Sequence, residues 1–172
     1  MSLSPYLRAL REQIGTARLL LPSVTALLFD EADRLLLVRQ REEGIWSTPG
    51  GFIEPEECPA DAVVREMWEE TGLLVTPQRI AAVFGGPEFV VHYPNEDEAQ
   101  YVTIVFDCTL VGGQFHPDGE ETTAAAYWSL AEASGLPLAP WLVPVLSRLY
   151  ERGPVVDFEP ARWHPPASTI AP

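Results

Sequence analysis

Residues 51–73, GFIEPEECPADAVVREMWEETGL, mark both ends of a helix and load it with acid. Pro59 suits the first turn, where its missing N–H would be unpaired in any case. Gly72 suits the far end, where a left-handed residue commonly closes a helix. A helix of about 13 residues is expected between them. On a wheel of about 100° per residue, Ala60, Val64, Met67 and Trp68 share a face, expected to anchor in a core. Glu66, Glu69 and Glu70, spaced i, i+3 and i+4, fall roughly opposite and bring three carboxylates into one small volume. At about 6 Å and an effective dielectric near 20, each pair of such charges costs roughly 2 to 3 kcal/mol. A hard divalent cation with oxygen ligands reverses that sign. A bare E-x-x-E-E is usually a solvated helix face; the attached Gly50–Gly51 pair, Glu57 and Arg65 favour a metal site instead.

The same stretch resembles the Nudix box, G-x5-E-x7-R-E-U-x-E-E-x-G-U with U a bulky apolar residue, and every defined position is filled. The resemblance implies an α/β (α+β) fold, the α/β/α sandwich in which a mixed β-sheet lies between helices. It also implies hydrolysis of a diphosphate bond, dependent on one to three Mg²⁺ or Mn²⁺ ions. By resemblance, Glu66, Glu69, Glu70 and the Gly50 carbonyl would hold metal, while Glu57 and Arg65 would brace the loop-helix unit through an ion pair. The general base would be Glu121, in the Gly119-Glu120-Glu121 loop, or Glu66. Arg39 resembles an arginine that many Nudix proteins point at substrate phosphate. Trp46 and Tyr93 are candidates to stack on a base, against a competing reading as buried packing. A nucleoside diphosphate linked to another moiety, such as ADP-ribose or a nucleotide sugar, is slightly ahead of a MutT-like nucleoside triphosphate. A catalytically idle nucleotide-binding module, marked by loss of box glutamates, is a further alternative, and an acidic scaffold that binds no divalent cation is the last.

Charge narrows the choice further. The formal net charge of −14 argues against sequence-independent binding to nucleic acid, which needs a basic footprint. It also repels a phosphate ligand, so bound cations must do the attracting. All 11 basic residues are arginines; without lysine there is no Walker A loop and no Schiff-base chemistry. His92, His116 and His164 have no metal-ligand spacing. Cys58 and Cys108 make no disulfide framework and are expected to be free. No signal peptide and no bilayer-spanning apolar run is evident, so a cytoplasmic enzyme with no membrane partner is expected.

Three segments are expected: an N-terminal helix in residues 1–16, a catalytic domain over 17–152 and a Pro-rich tail over 153–172. In the first, Tyr6, Leu7, Leu10 and Ile14 form an apolar stripe that packs either on its own domain or on a second copy in a homodimer. Val24–Phe29 and Arg34–Gln40 read as a hairpin about Asp30–Asp33. Brief strands are expected at Gly51–Glu54, Arg79–Gly85, Glu88–Tyr93 and Ala126–Leu130. Tyr101–Val111 alternates most clearly of all. Trp141–Arg152 reads as a closing helix with Leu142, Val145, Leu146 and Leu149 inward, and the tail shows no helical or strand period.

Overall fold

The computed structural model describes residues 4–41, 44–116, 119 and 122–162. Helix α1 (Pro5–Ile14) starts where the Ser4 hydroxyl accepts from the Leu7 amide. Strands β1 (Leu19–Leu28), β2 (Leu35–Gln40) and β3 (Trp46–Ser47) follow, then helix α2 (Pro59–Thr71) and β4 (Leu73–Phe84). A single 3-10 turn at Pro87–Phe89 leads into β5 (Val90–His92), the long β6 (Glu98–Gly113) and β7 (Thr122–Trp128). Short helices α3 (Leu130–Ala133) and α4 (Leu146–Glu151) and strand β8 (Asp157–Phe158) complete the order.

Two sheets form. In the larger, β1 pairs β6 in parallel, β6 pairs β4 antiparallel, β4 pairs β8 in parallel, and β5 adds to β6. In the smaller, β2 lies between β3 and β7, antiparallel to both. Period-two alternation assigns the two faces of β1. Val24, Ala26 and Leu28 pack with Ala62, Val63 and Met67 of α2. Leu27 packs the other way, with Ala133, Leu142, Leu146 and Leu149 from the α3–α4 end of the chain. Helices thus cover both sides of the strands, the expected sandwich, and β1 is buried without a break from Ser23 to Leu28.

Several boundaries differ from expectation for identifiable reasons. The Asp30–Asp33 turn forms, with the Asp30 carboxylate accepting from the Ala32 and Arg34 amides at 3.0 and 2.9 Å. Its strands then part after a single bridge, Phe29 to Leu35, because β6 claims β1 and β7 claims β2. The expected hairpin is therefore a crossing between sheets. Gly51–Glu54 contributes one bridge, Ser23 to Phe52, and no extended strand. The closing helix starts only at Leu146: Pro144 has no N–H to give the preceding turn and disfavours helical backbone at Val143. Its four inward residues, Leu142, Val145, Leu146 and Leu149, are nevertheless all buried. Within 153–162, Asp157 and Phe158 pair with Ala82 and Val83, held by Arg148 on Asp157 at 2.7 Å, so the tail carries a strand after all. Residues 163–172 lie outside the described residues.

Helix α2 has the expected ends, with Gly72 left-handed at φ 69°, but the wheel is turned. Ala62, Val63, Met67 and Thr71 are buried, while Trp68 is 54% exposed. Ala62 and Val63 lie one turn before Glu66, and Met67 and Thr71 directly follow Glu66 and Glu70. Those two carboxylates therefore border the buried stripe and do not oppose it. The expected face, Ala60, Val64, Met67 and Trp68, contributes only Met67 fully. Met67→Ala is expected to lower the unfolding free energy in urea by about 2–5 kcal/mol. Trp68→Ala is expected to change it by under about 1 kcal/mol, near the surface norm; the reverse ranking would restore the original face.

Candidate active site

The loop before α2 owes its shape to two glycines. Gly50 has φ 146°, and a β-carbon there would meet the Val24 carbonyl oxygen at 2.2 Å. At Gly51, a β-carbon would stand 2.7 Å from the Glu66 carboxylate carbon. Strand β1 fixes the loop through its amides: Ala26 donates to Pro49 and Val24 to Gly51, both at 2.9 Å, skipping the Gly50 carbonyl between them. Gly50 thus sits where only glycine fits against backbone, and Gly51 leaves room for the Glu66 carboxylate.

Arg65 organises the acids around that contact. Its Nε and Nη2 bind Glu57 side-on at 2.8 and 2.9 Å, and Nη2 also reaches the Phe52 carbonyl at 3.0 Å. Its Nη1 binds Glu66 at 2.7 Å and Glu69 at 3.1 Å. Glu57 in turn accepts the Glu54 amide at 3.1 Å. The guanidinium hydrogen bond holds the Glu57 carboxyl below the usual carboxylate range, against the opposing pull of burial. The same partnership raises the Arg65 pKa further. Glu57 and Arg65 therefore form the expected brace, and one arginine serves three carboxylates.

Glu70 turns the other way, into a cleft of about 180 Å³ lined also by Gly50 and Gly51. Thr25 and Thr103 hydroxyls stand 2.9 Å apart on its floor. Four aromatic residues also line it: Phe89, Tyr93, Tyr101 and Trp141. The Tyr93 and Tyr101 hydroxyls lie 2.7 Å apart, and burial pushes the Tyr101 phenol up. Among the described residues, Arg41 and Glu70 are the charged side chains lining the cleft. The lining combines a carboxylate and backbone oxygens with flat aromatic rings.

The residues named from sequence divide accordingly. Arg65 gathers Glu57, Glu66 and the 56% exposed Glu69, whereas Glu70 shares the lining of the cleft with Gly50. Among the described residues, no three acidic, histidine or cysteine side chains are gathered in a ready cation cage. The donors present nonetheless suit a hard cation, being carboxylate oxygens beside a backbone carbonyl. Three carboxylates, Glu57, Glu66 and Glu69, share one guanidinium, which leaves surplus negative charge for a cation to offset. Glu121, with Glu120, lies outside the described residues. Tyr93 lines the cleft as expected. Trp46 does not: it packs edge-on against Trp128 at 5.3 Å, and its backbone joins Pro137 and Ala139. Arg39 folds back onto the Gly44 carbonyl at 3.1 Å, and Arg41, missed in the sequence, lines the cleft instead. Tyr101 and Thr103 were also missed, although alternation along β6 puts them on one face with the buried Val105. Cys58 and Cys108 are free, and burial raises the Cys108 thiol to about 12. No helix among the described residues is long and apolar enough to cross a membrane.

Known proteins share this framework. Residues 19–152 match the NUDIX domain family. A MutT-like protein of Streptomyces ambofaciens is 32% identical over 134 residues, covering 78% of this chain and 80% of that one. A putative ADP-ribose pyrophosphatase of Bacillus subtilis is 35% identical over 96 residues, or 56% of this chain; the chain spans only 44% of that relative's length. The crystal structure of an ADP-ribose pyrophosphatase from Streptococcus suis superposes with a TM-score of 0.65 at 30% identity, covering 80% of this chain and 96% of that one.

The Glu57–Arg65 pair gives acid stability a definite sign. A carboxyl depressed on folding stabilises fully above the ordinary glutamate value of 4.5 and loses that contribution as pH falls through the lower folded value. In metal-free buffer near neutrality, Glu57→Gln is expected to cost roughly 1.5–3 kcal/mol in urea unfolding. The difference from wild type should shrink on acidification below that value; a gap unchanged with pH would refute the pairing.

Proposed function

The chain belongs to the NUDIX domain family, and on that premise we propose that it hydrolyses the diphosphate bond of a nucleoside diphosphate linked to a second moiety. ADP-ribose or a nucleotide sugar is the preferred class. One observation carries the reading: Glu66 pressed onto Gly51 and Glu70 facing the cleft set carboxylates beside an aromatic lining. The cleft's lining supports a flat base against Phe89, Tyr93, Tyr101 and Trp141, with the diphosphate toward Gly50 and Glu70. The names of the Bacillus subtilis relative and of the Streptococcus suis structure support the ADP-ribose class. A nucleoside triphosphate is the second reading, supported by the MutT-like relative.

Glu66, Glu69, Glu70 and the Gly50 carbonyl would hold Mg²⁺ or Mn²⁺, one to three ions. Bound there, the metal supplies polarisation of phosphoryl oxygens and an acidified water. Arg65 restrains Glu66 and Glu69, so those carboxylates stay oriented toward the loop. With Glu66 engaged in that way, Glu121 is our first choice for taking a proton from the attacking water, and Glu66 the alternative. Arg41, from its position on the cleft wall, is a better candidate than Arg39 to meet the ligand's anionic group.

A panel of ADP-ribose, nucleotide sugars, dinucleoside polyphosphates and dNTPs, each with Mg²⁺ or Mn²⁺, tests the substrate class. Turnover is expected to be fastest on ADP-ribose or a nucleotide sugar; fastest turnover on a dNTP would favour the second reading. Glu70→Gln should keep the fold and lower metal-dependent turnover at least about a hundredfold, the scale of losing one charge-stabilising group. Undiminished turnover in that variant would remove Glu70 from the metal site.

A further inference from the structure

Helix α1 precedes the matched family region, which begins at residue 19, yet its packing reaches the site. The Tyr6 ring lies parallel to Phe52, with centroids 6.2 Å apart and planes within 6°. Leu7 is buried with Leu21, Phe52 and Ala99, and Leu10, Tyr93 and Tyr101 pack on the same cluster. At the other end of the helix, Arg11 donates to the carbonyls of Gly15, Ala17 and Glu98 at 3.1, 2.7 and 2.8 Å. It also stands 3.5 Å from Asp97 and is itself only 12% exposed. The helix is therefore fastened at one end to the β5–β6 turn and at the other to Phe52.

Phe52 connects this packing to the chemistry. It directly follows Gly51, its carbonyl takes the Arg65 guanidinium, and its backbone bridges to Ser23 of β1. Beyond it, the loop is tied by the Ile53 amide to the Pro22 carbonyl at 3.2 Å and by the Glu54 amide to Glu57 at 3.1 Å. These ties, with the β1 bonds to Pro49 and Gly51, act on the loop's backbone, and the Phe52 ring is its side-chain contact with α1. Displacements of about 1 Å at a reactive centre can cost about a hundredfold in rate.

We infer that α1 is a positioning element, with Tyr6 clamping Phe52 so that Gly50 and Gly51 stay in register with Glu66. This rests on the reading that Gly50 and Glu66 help to hold a divalent cation. The stack needs the ring and not the hydroxyl, and Tyr6 is 45% exposed, so its replacement spares the folded domain.

The test compares full-length wild type, Tyr6→Ala and Tyr6→Phe by two readouts that need no turnover. In hydrogen exchange, the Ile53 and Glu54 amides of Tyr6→Ala are expected to exchange at least about fivefold faster, as for a locally loosened segment. Central β6 amides, such as that of Val105, should be unchanged. In a titration of free Mn²⁺ followed by electron paramagnetic resonance, Tyr6→Ala should bind at least about threefold more weakly, in line with lost support for ligand orientation. Tyr6→Phe should match wild type in both. Unchanged exchange at Ile53 and Glu54, or faster exchange with unchanged Mn²⁺ affinity, would overturn the positioning role while leaving the proposed hydrolysis intact. Wild type that binds no Mn²⁺ would overturn the cation site itself, and the positioning role with it.

Discussion

The Glu66 carboxylate lies so near the backbone of Gly51 that a β-carbon there would push it aside. The contact joins the helix that carries the acids to the loop that β1 holds by two amide–carbonyl bonds. Helix α2 can approach this closely because Ala62 and Val63, one turn earlier, are fully buried against the sheet. The opposing turn stays in place because Gly50 tucks under the Val24 carbonyl. A side chain at Gly50 would collide with the β1 backbone, and one at Gly51 would displace the Glu66 carboxylate from the corner.

Electrostatics then explains the arginine at the centre of that corner. Glu57, Glu66 and Glu69 would repel one another at these separations, and Arg65 offsets that repulsion through five hydrogen bonds, four of them to carboxylates. A lysine would bring a point charge but no fork, and could not bind Glu57 side-on while reaching the Phe52 carbonyl. Beyond the corner the cleft is nearly uncharged, in a chain whose formal charge is −14. A multiply anionic ligand entering there needs a cation or Arg41 to offset the repulsion.

Much of this was legible in the residues. Pro59 and Gly72 bound α2, and Glu57, eight residues before Arg65, pairs with it as spacing implied. The buried face was misread because Trp68 and Val64 looked like core and Ala62 did not. Small side chains gain burial from the neighbours they admit, which a wheel weighted by bulk does not register. Arg39 and Arg41 show a second limit: they flank the end of β2, and Arg39 is drawn back onto the Gly44 carbonyl while Arg41 lines the cleft. The β1–β2 crossing shows a third, since local turn chemistry at Asp30 formed as read while distant β6 and β7 decided the pairing. Nothing in residues 5–14 hinted that Tyr6 would find Phe52.

The central claim is that this corner holds a divalent cation between helix and loop. Crystals grown with Mn²⁺ and measured at an energy giving anomalous signal from manganese test it directly. The account predicts an anomalous peak within about 2.5 Å of oxygens from Glu66 or Glu70 and from the Gly50 carbonyl, the bonding range of hard cations to oxygen. A well-occupied peak elsewhere on this acidic surface, with the corner still closed by Arg65 alone, would contradict it.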